Sequence, residues 1–240
     1  MFGAKSAHSQ TNEDAVLSSL FASIGIANRR SVEICAGDGI VCNTAALIVR
    51  DGWEGLLVDG NRRLITRGRI FHRRMRSRAV LVEGWVTRSS INALISGHGF
   101  TGEIDLLSLD LDGVDYWIWE AIEAVTPRVV VLEYQDILGP ERSWTIPYSD
   151  DFSATGFPRS SGAPNYAGAS LRAFVKLGRK KGYRLVAINE LGYNAFFVRN
   201  DLGADRLPEL DVDDCFGHPH NINGMTARFG TVAHLPWQEV

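Results

Sequence analysis

Between residues 12 and 199 the chain alternates two hydrophobic periods. Short apolar runs of strand length are separated by segments whose apolar residues recur three and four apart, as on one face of a helix. Val16, Leu17, Leu20, Phe21 and Ile24 predict a first helix, with Asn12 at its N-cap and acidic Glu13 and Asp14 in the first turn, where the helix dipole favours them. Strands are predicted over 31–36, within 53–60, over 78–84, at 106–109 and over 128–132. Helical patterns over 40–50 and 87–96, around Trp117 to Ile122, and over 169–181 fall between or after them. Continuous apolar strands bounded by glycine suit a parallel sheet buried on both faces. Two last runs, 183–189 and 194–199, joined by a short turn through Gly192, read as an antiparallel hairpin. The expectation is a single α/β domain over 1–240, with an insertion at about 136–168 and an extension at about 201–240.

The chemistry-bearing residues fall where these strands end. Ser31 to Gly39 is a strand, a turn with glycines at 37 and 39, and the start of a helical pattern. Glycine leaves no Cβ in the way there, and a helix start presents free N–H groups, so a nucleotide-like ligand fits. Asp59 closes the second strand about twenty residues later, where a carboxylate can accept both ribose hydroxyls. The third strand ends in Glu83, Gly84 and Trp85, and an aromatic in that place suits an adenine ring or the core. The fourth strand delivers Asp110 and Asp112, a pair suited to a hard divalent cation or to proton transfer. Glu133 ends the fifth, and three carboxylates meeting in one crevice need a cation or a bound proton, because like charges raise each other's pKa.

Composition narrows this picture only in places. With 45% hydrophobic and 22% charged residues in 240, the chain can bury a full-sized core. A net charge of −3 argues against general affinity for nucleic acid or membrane, although charge can still be concentrated locally. It is so concentrated: eight arginines lie between Arg62 and Arg78. Such a run reads either as a solvated face or as a guanidinium patch for a phosphate-bearing or otherwise anionic partner. Cys35, Cys42 and Cys215 form no metal or redox spacing and read as reduced core thiols. No apolar stretch is long enough to span a membrane, and the expected location is the cytoplasm.

Residues 137–166 lose periodicity and interleave prolines with Trp144, Tyr148, Phe152, Phe157 and Tyr166. A connection this long suits a lid or binding loop. The last forty residues carry Asp213, Asp214, Cys215, His218 and His220 without a recognisable zinc spacing. They are expected to pack across the mouth of the site or onto a partner subunit of a homo-oligomer.

This order of elements resembles the class I S-adenosylmethionine-dependent methyltransferases, and in detail their FkbM-like branch. The residues that carry the likeness are Gln10 with Glu13 and Asp14, Glu33 with Ala36 to Gly39, Asn43 with Thr44, Gly52 to Gly55, Asp105 to Gly113, and Asn194 to Val198. The likeness covers about residues 9–200. It implies a Rossmann-like three-layer sandwich whose seven-stranded sheet is mostly parallel with the last strand antiparallel. It also implies S-adenosylmethionine as cofactor, lined by Gln10, Glu33, Gly37, Gly39 and Asn43, with Asp59 on the ribose and Glu83, Gly84 and Trp85 around the adenine. Asp110 faces the methyl donor, and Asp110 with Asp112 is the expected catalytic pair. Related sugar O-methyltransferases bind magnesium at strand ends occupied here by Asp110 and Glu133, although Tyr134 and Gln135 depart from their pattern. The implied acceptor is a small molecule or glycan. His98, His218, His220 and Asp115 are further candidates for the base. Three other readings compete: a non-catalytic cofactor-binding module, a nicotinamide-dependent dehydrogenase, and a phosphatase whose nucleophile motif is mimicked by Asp110, Asp112, Gly113 and Val114.

Overall fold

The computed structural model describes residues 11–154, 159–160 and 165–240; Gln10, Phe157 and Pro158 lie outside the described residues. Seven strands form the central sheet: β1 (Arg30–Ile34), β2 (Glu54–Asp59), β3 (Arg78–Glu83), β4 (Gly102–Leu109), β5 (Val125–Glu133), β6 (Tyr183–Ile188) and β7 (Asn194–Arg199). Their order is β3-β2-β1-β4-β5-β7-β6. The first five are parallel, and β7 inserts antiparallel between β5 and β6. The fold is therefore Rossmann-like α/β with a mostly parallel seven-stranded sheet and an antiparallel last strand.

Alternation along the strands sends successive side chains to opposite faces and builds two cores. Val32, Ile34, Val130 and Leu132 face one side, where α4 (Ile91–Gly97), α5 (Asp115–Ala121) and α6 (Leu171–Lys181) bring Ile91, Trp119 and Phe174. Leu57, Leu106, Val129, Val131 and Phe196 face the other, covered by α1 (Glu13–Ile24), α2 (Ala45–Val49) and α3 (Arg62–Met75) through Leu17, Ile48 and Ile65. The arginine-rich segment is thus a helix. It starts because the Asn61 side chain accepts the N–H groups of Arg63 and Leu64, and it stays docked because Ile65, Gly68 and His72 recur on one buried face.

Several boundaries move for local reasons. The helix predicted over 40–50 starts only at Ala45, because the backbone N–H groups of Asn43 and Thr44 are drawn to Glu33. Asn12 stands at the N-cap of α1 without capping it, its side-chain oxygen accepting the N–H of Glu190 instead. β5 runs through Pro127, tolerated there because β7 reaches only as far as Val129.

The insertion after β5 contributes Trp144–Thr145, which pairs with Gln238–Glu239 from the extension, and Phe152–Ser153, which pairs with Arg159–Ser160. The extension is tied to the insertion rather than laid over the site. The Ser143 hydroxyl donates to the Val240 carbonyl at 2.6 Å, Tyr166 stacks edge-on to Trp237, and the Arg142 guanidinium lies 4.2 Å over the Phe229 ring.

Candidate functional site

At the carboxyl ends of β1, β2, β3 and β4 the chain leaves a cavity of about 750 Å³. Its first wall is the turn after β1. Cys35, Gly37 and Gly39 all have positive φ, at 62°, 59° and 66°, so the backbone swings out of the sheet within five residues. A Cβ at Gly37 would meet nothing within 4 Å, and this is the glycine that faces the cavity. Gly39 does not. A Cβ there would come 2.5 Å from Leu57 of β2 and 3.0 Å from the His72 ring of α3, so packing against both, together with the positive φ, favours glycine. His72 holds that contact: buried, its Nε2 lies 2.8 Å from the Gly39 carbonyl and its Nδ1 2.8 Å from the Ser77 hydroxyl. Burial lowers its pKa, and the neutral ring with its proton on Nε2 satisfies both partners.

Glu33 lines the cavity floor, but its carboxylate is spent on the protein. One oxygen accepts the Asn43 N–H at 3.0 Å and the Ser108 hydroxyl at 3.2 Å; the other accepts the N–H and hydroxyl of Thr44 at 2.9 and 2.6 Å. Glu33 therefore shapes the loop, and Asn43, whose amide donates to Ser108, is held beside it at the cavity wall. Asp59 does comparable work at the end of β2, accepting the N–H of Gly37 at 2.9 Å on one oxygen and that of Asn61 at 2.7 Å on the other. Each carboxylate oxygen has a second lone pair, so Asp59 can still accept ribose hydroxyls from the cavity it lines.

Gly84 and Trp85 line the same side. The Trp85 indole is 43% exposed and donates to the Asp150 carbonyl at 2.6 Å, which joins the insertion to the wall of the site. Glu83 is turned outward, near Arg62 at 3.9 Å, and is not part of the cavity lining.

The opposite wall is acidic. Oxygens of Asp110, Asp112 and Glu133 lie within 4.8 Å of one another. Asp110 and Glu133 are hydrogen-bonded, and burial first, then the neighbouring carboxylates, raises the pKa of both, so the pair holds a proton. Asp112 is the most open of the three and sits at φ 52°, an uncommon backbone conformation for a residue with a Cβ. Asp115 imposes it: fully buried, its carboxylate accepts the N–H groups of Leu111 and Gly113 at 2.7 and 3.0 Å, drawing the turn tight around Asp112. Burial lifts Asp115 to about 6. The three histidines proposed as bases stand elsewhere. His98 ends α4, His218 caps α7 (Pro219–Asn223), and His220 is 3.4 Å from Asp136, and none lines the cavity.

Three further residues line the cavity: Cys35 and Asn194, which sequence reasoning did not assign to it, and Phe152, an aromatic of the segment expected to act as a binding loop. Cys35, expected in the core, opens onto the cavity, and its thiol pKa is pushed well up by the surrounding protein and by Asp59, Asp115, Asp110 and Asp112. Phe152 reaches in from the insertion. Asn194, paired in register with Glu133, donates to the buried Glu13 at 3.0 Å. Only the register of β7 against β5, invisible before strand order is known, places it there.

No protein-family model matches this sequence, and no curated protein matches it. Solved structures match at the level of fold. PKMT2 from Rickettsia typhi, determined in complex with AdoHcy, superposes with a TM-score of 0.52 at 9% identity, over 82% of this chain and 55% of that one. An O-methyltransferase from Bacillus cereus in complex with SAH gives 0.49 at 13% identity over 82% of each chain. A S-adenosylmethionine-dependent methyltransferase from Clostridium acetobutylicum gives 0.47 at 10% identity over 78% of this chain and 90% of that one.

Proposed function

We propose that this chain is an S-adenosylmethionine-dependent methyltransferase of the FkbM-like kind, a single cytoplasmic domain acting on a hydroxyl of a sugar or related small metabolite. The observation that carries the reading is one cavity with two unlike walls. Gly37, Asp59 and Trp85 make a nucleoside-binding side, and Asp110 and Asp112 face them, with Glu133 hydrogen-bonded to Asp110 behind that wall. The Rickettsia typhi protein, which shares the fold and was determined with AdoHcy, supports the cofactor half.

The cofactor supplies an activated methyl group, and alignment accounts for most of what transfer then needs. Gly37 admits the ligand without a side chain in the way, Asp59 accepts its ribose hydroxyls, and Trp85 offers a ring face. An alcohol acceptor must also lose its proton. Asp112, open to the cavity and held in place by Asp115, takes it, while the Asp110–Glu133 pair keeps the proton it shares. Asp110, Asp112 and Glu133 would offer a hard divalent cation such as magnesium an all-oxygen donor set. Such an ion would lower the pKa of a coordinated hydroxyl.

Calorimetric titration with S-adenosylmethionine, S-adenosylhomocysteine and NAD tests the reading. The first two should bind in the micromolar range and NAD should not; failure of both adenosyl ligands to bind overturns it. Thermal melts with and without magnesium test the cation independently of turnover.

A further inference from the structure

Eight of the chain's 25 basic residues, and none of its 28 acidic ones, lie between Arg62 and Arg78. The rest of the chain has seventeen basic against 28 acidic residues, so a net charge of −3 conceals one strongly positive segment in a background of −11. The fold gathers that segment on one surface. Arg63, Arg67, Ile70 and Arg74 follow at intervals of four, three and four residues along the outward face of α3, with Arg73 beside them. The row is about 16 Å long. Next to it β3 forms the sheet edge, exposing Arg78 and Val80. Among the described residues Arg63, Arg73, Arg74 and Arg76 have no carboxylate partner, and the pairs of Arg62 and Arg78 are long, at 3.9 and 3.8 Å.

We propose that the α3 and β3 face binds the phosphodiester backbone of a single-stranded nucleic acid. All eight cations are arginine, whose planar fork grips a phosphate through two bonds and is less strongly hydrated than a lysine. Successive arginines one helical turn apart match the reach between neighbouring phosphates of an extended strand. Ile70, Met75 and Val80, exposed by 42, 48 and 39%, lie among the guanidinium groups and give bases an aliphatic surface. A membrane surface is a poorer occupant. An interfacial helix buries its apolar stripe in lipid, and the stripe of α3, Ile65 and Gly68 with His72, is already packed on the sheet. The face begins at Asn61 and Arg62, which also line the cavity, so a bound strand passes its mouth. The proposal does not depend on methyl transfer and stands or falls separately.

Fluorescence anisotropy of a labelled twenty-nucleotide RNA of mixed sequence, titrated with the full chain at 50 and 200 mM salt, tests it. Binding should weaken with salt at a log–log slope of about −3, from four or five phosphates neutralised at about −0.7 each. The triple variant Arg63→Gln, Arg73→Gln, Arg74→Gln breaks no ion pair, and should lose roughly tenfold or more in affinity and about 2 in slope. The matching lysine variant should keep most of the slope while binding more weakly. No binding at 50 mM salt, or equal binding by the glutamine variant, overturns the proposal. So does displacement of the RNA by polyglutamate at equal charge, which assigns the face to an acidic protein. Co-sedimentation with phosphatidylserine vesicles in preference to RNA overturns it in favour of a membrane.

Discussion

Replacing Glu33 with glutamine keeps the shape of the side chain and removes half of what holds the cofactor loop. Two oxygens now accept from four donors, and two of those are backbone N–H groups that cannot turn away. Glutamine keeps one oxygen and points an NH2 at the other pair. The hydroxyl of that pair can rotate to accept from the new amide, but its backbone N–H is left facing a donor. Losing one bond to a charged acceptor costs about 1.5–3 kcal/mol, and stranding the buried N–H costs about 1–3 kcal/mol more. The rotated hydroxyl returns about 1 kcal/mol. The net loss is about 1.5–5 kcal/mol, which in a chain of this size lowers Tm by about 3–20 °C. Urea unfolding followed by circular dichroism measures it directly, as a lower midpoint at unchanged slope. A loss below about 0.5 kcal/mol refutes the assignment of Glu33 as the brace of residues 43 and 44.

Asp59→Ala removes the ribose acceptor, and titration should show S-adenosylmethionine affinity falling by about a hundredfold, as for two lost charged hydrogen bonds. Asp110→Asn and Glu133→Gln should leave cofactor binding within about threefold of wild type and, if the pair holds a cation, abolish labelled methyl transfer. The raised Asp110 pKa favours the protonated folded form, so its stabilisation is complete below the unfolded value of 3.8 and lost as pH rises to about 7. Thermal melts of the metal-free protein should therefore fall over that range, with magnesium raising Tm more at pH 8 than at pH 5. His72 has the opposite sign. Burial depresses its pKa, so its contribution is present above the unfolded value of 6.5 and lost as pH falls below it. His72→Gln should flatten that limb of the melting profile.

The strand ends were legible because a buried parallel strand is a continuous apolar run, and the first polar residue after it marks the crevice. That signal puts Asp59, Asp110 and Glu133 at strand ends, where the structure has them. The turn residues were harder. Gly37 and Gly39 are indistinguishable as letters, and only the packing of α3 tells which faces the cavity and which faces Leu57 and His72. Glu33 is expected at the ligand through the family resemblance, and its bonds to residues 43 and 44 appear only once the loop folds back on it. The arginine segment hid its helix because charge masked a buried face of only Ile65, Gly68 and His72. The tail, expected across the mouth, instead binds the insertion through short pairings whose partners lie about ninety residues apart, a distance no local pattern spans.

The buried carboxylate of Glu13 bears on how the chain is made. It accepts bonds from Asn189 and Asn194, the latter 181 residues further along. Until that hairpin leaves the ribosome, α1 cannot dock without desolvating a charge that lacks two of its partners. α1, although made before the whole sheet, is thus among the last elements of this fold to settle, and the sheet must gain β6 and β7 before that cover closes. Truncation before residue 194 leaves an uncovered apolar face on α1 and the strands beneath it, the kind of nascent surface that recruits chaperones.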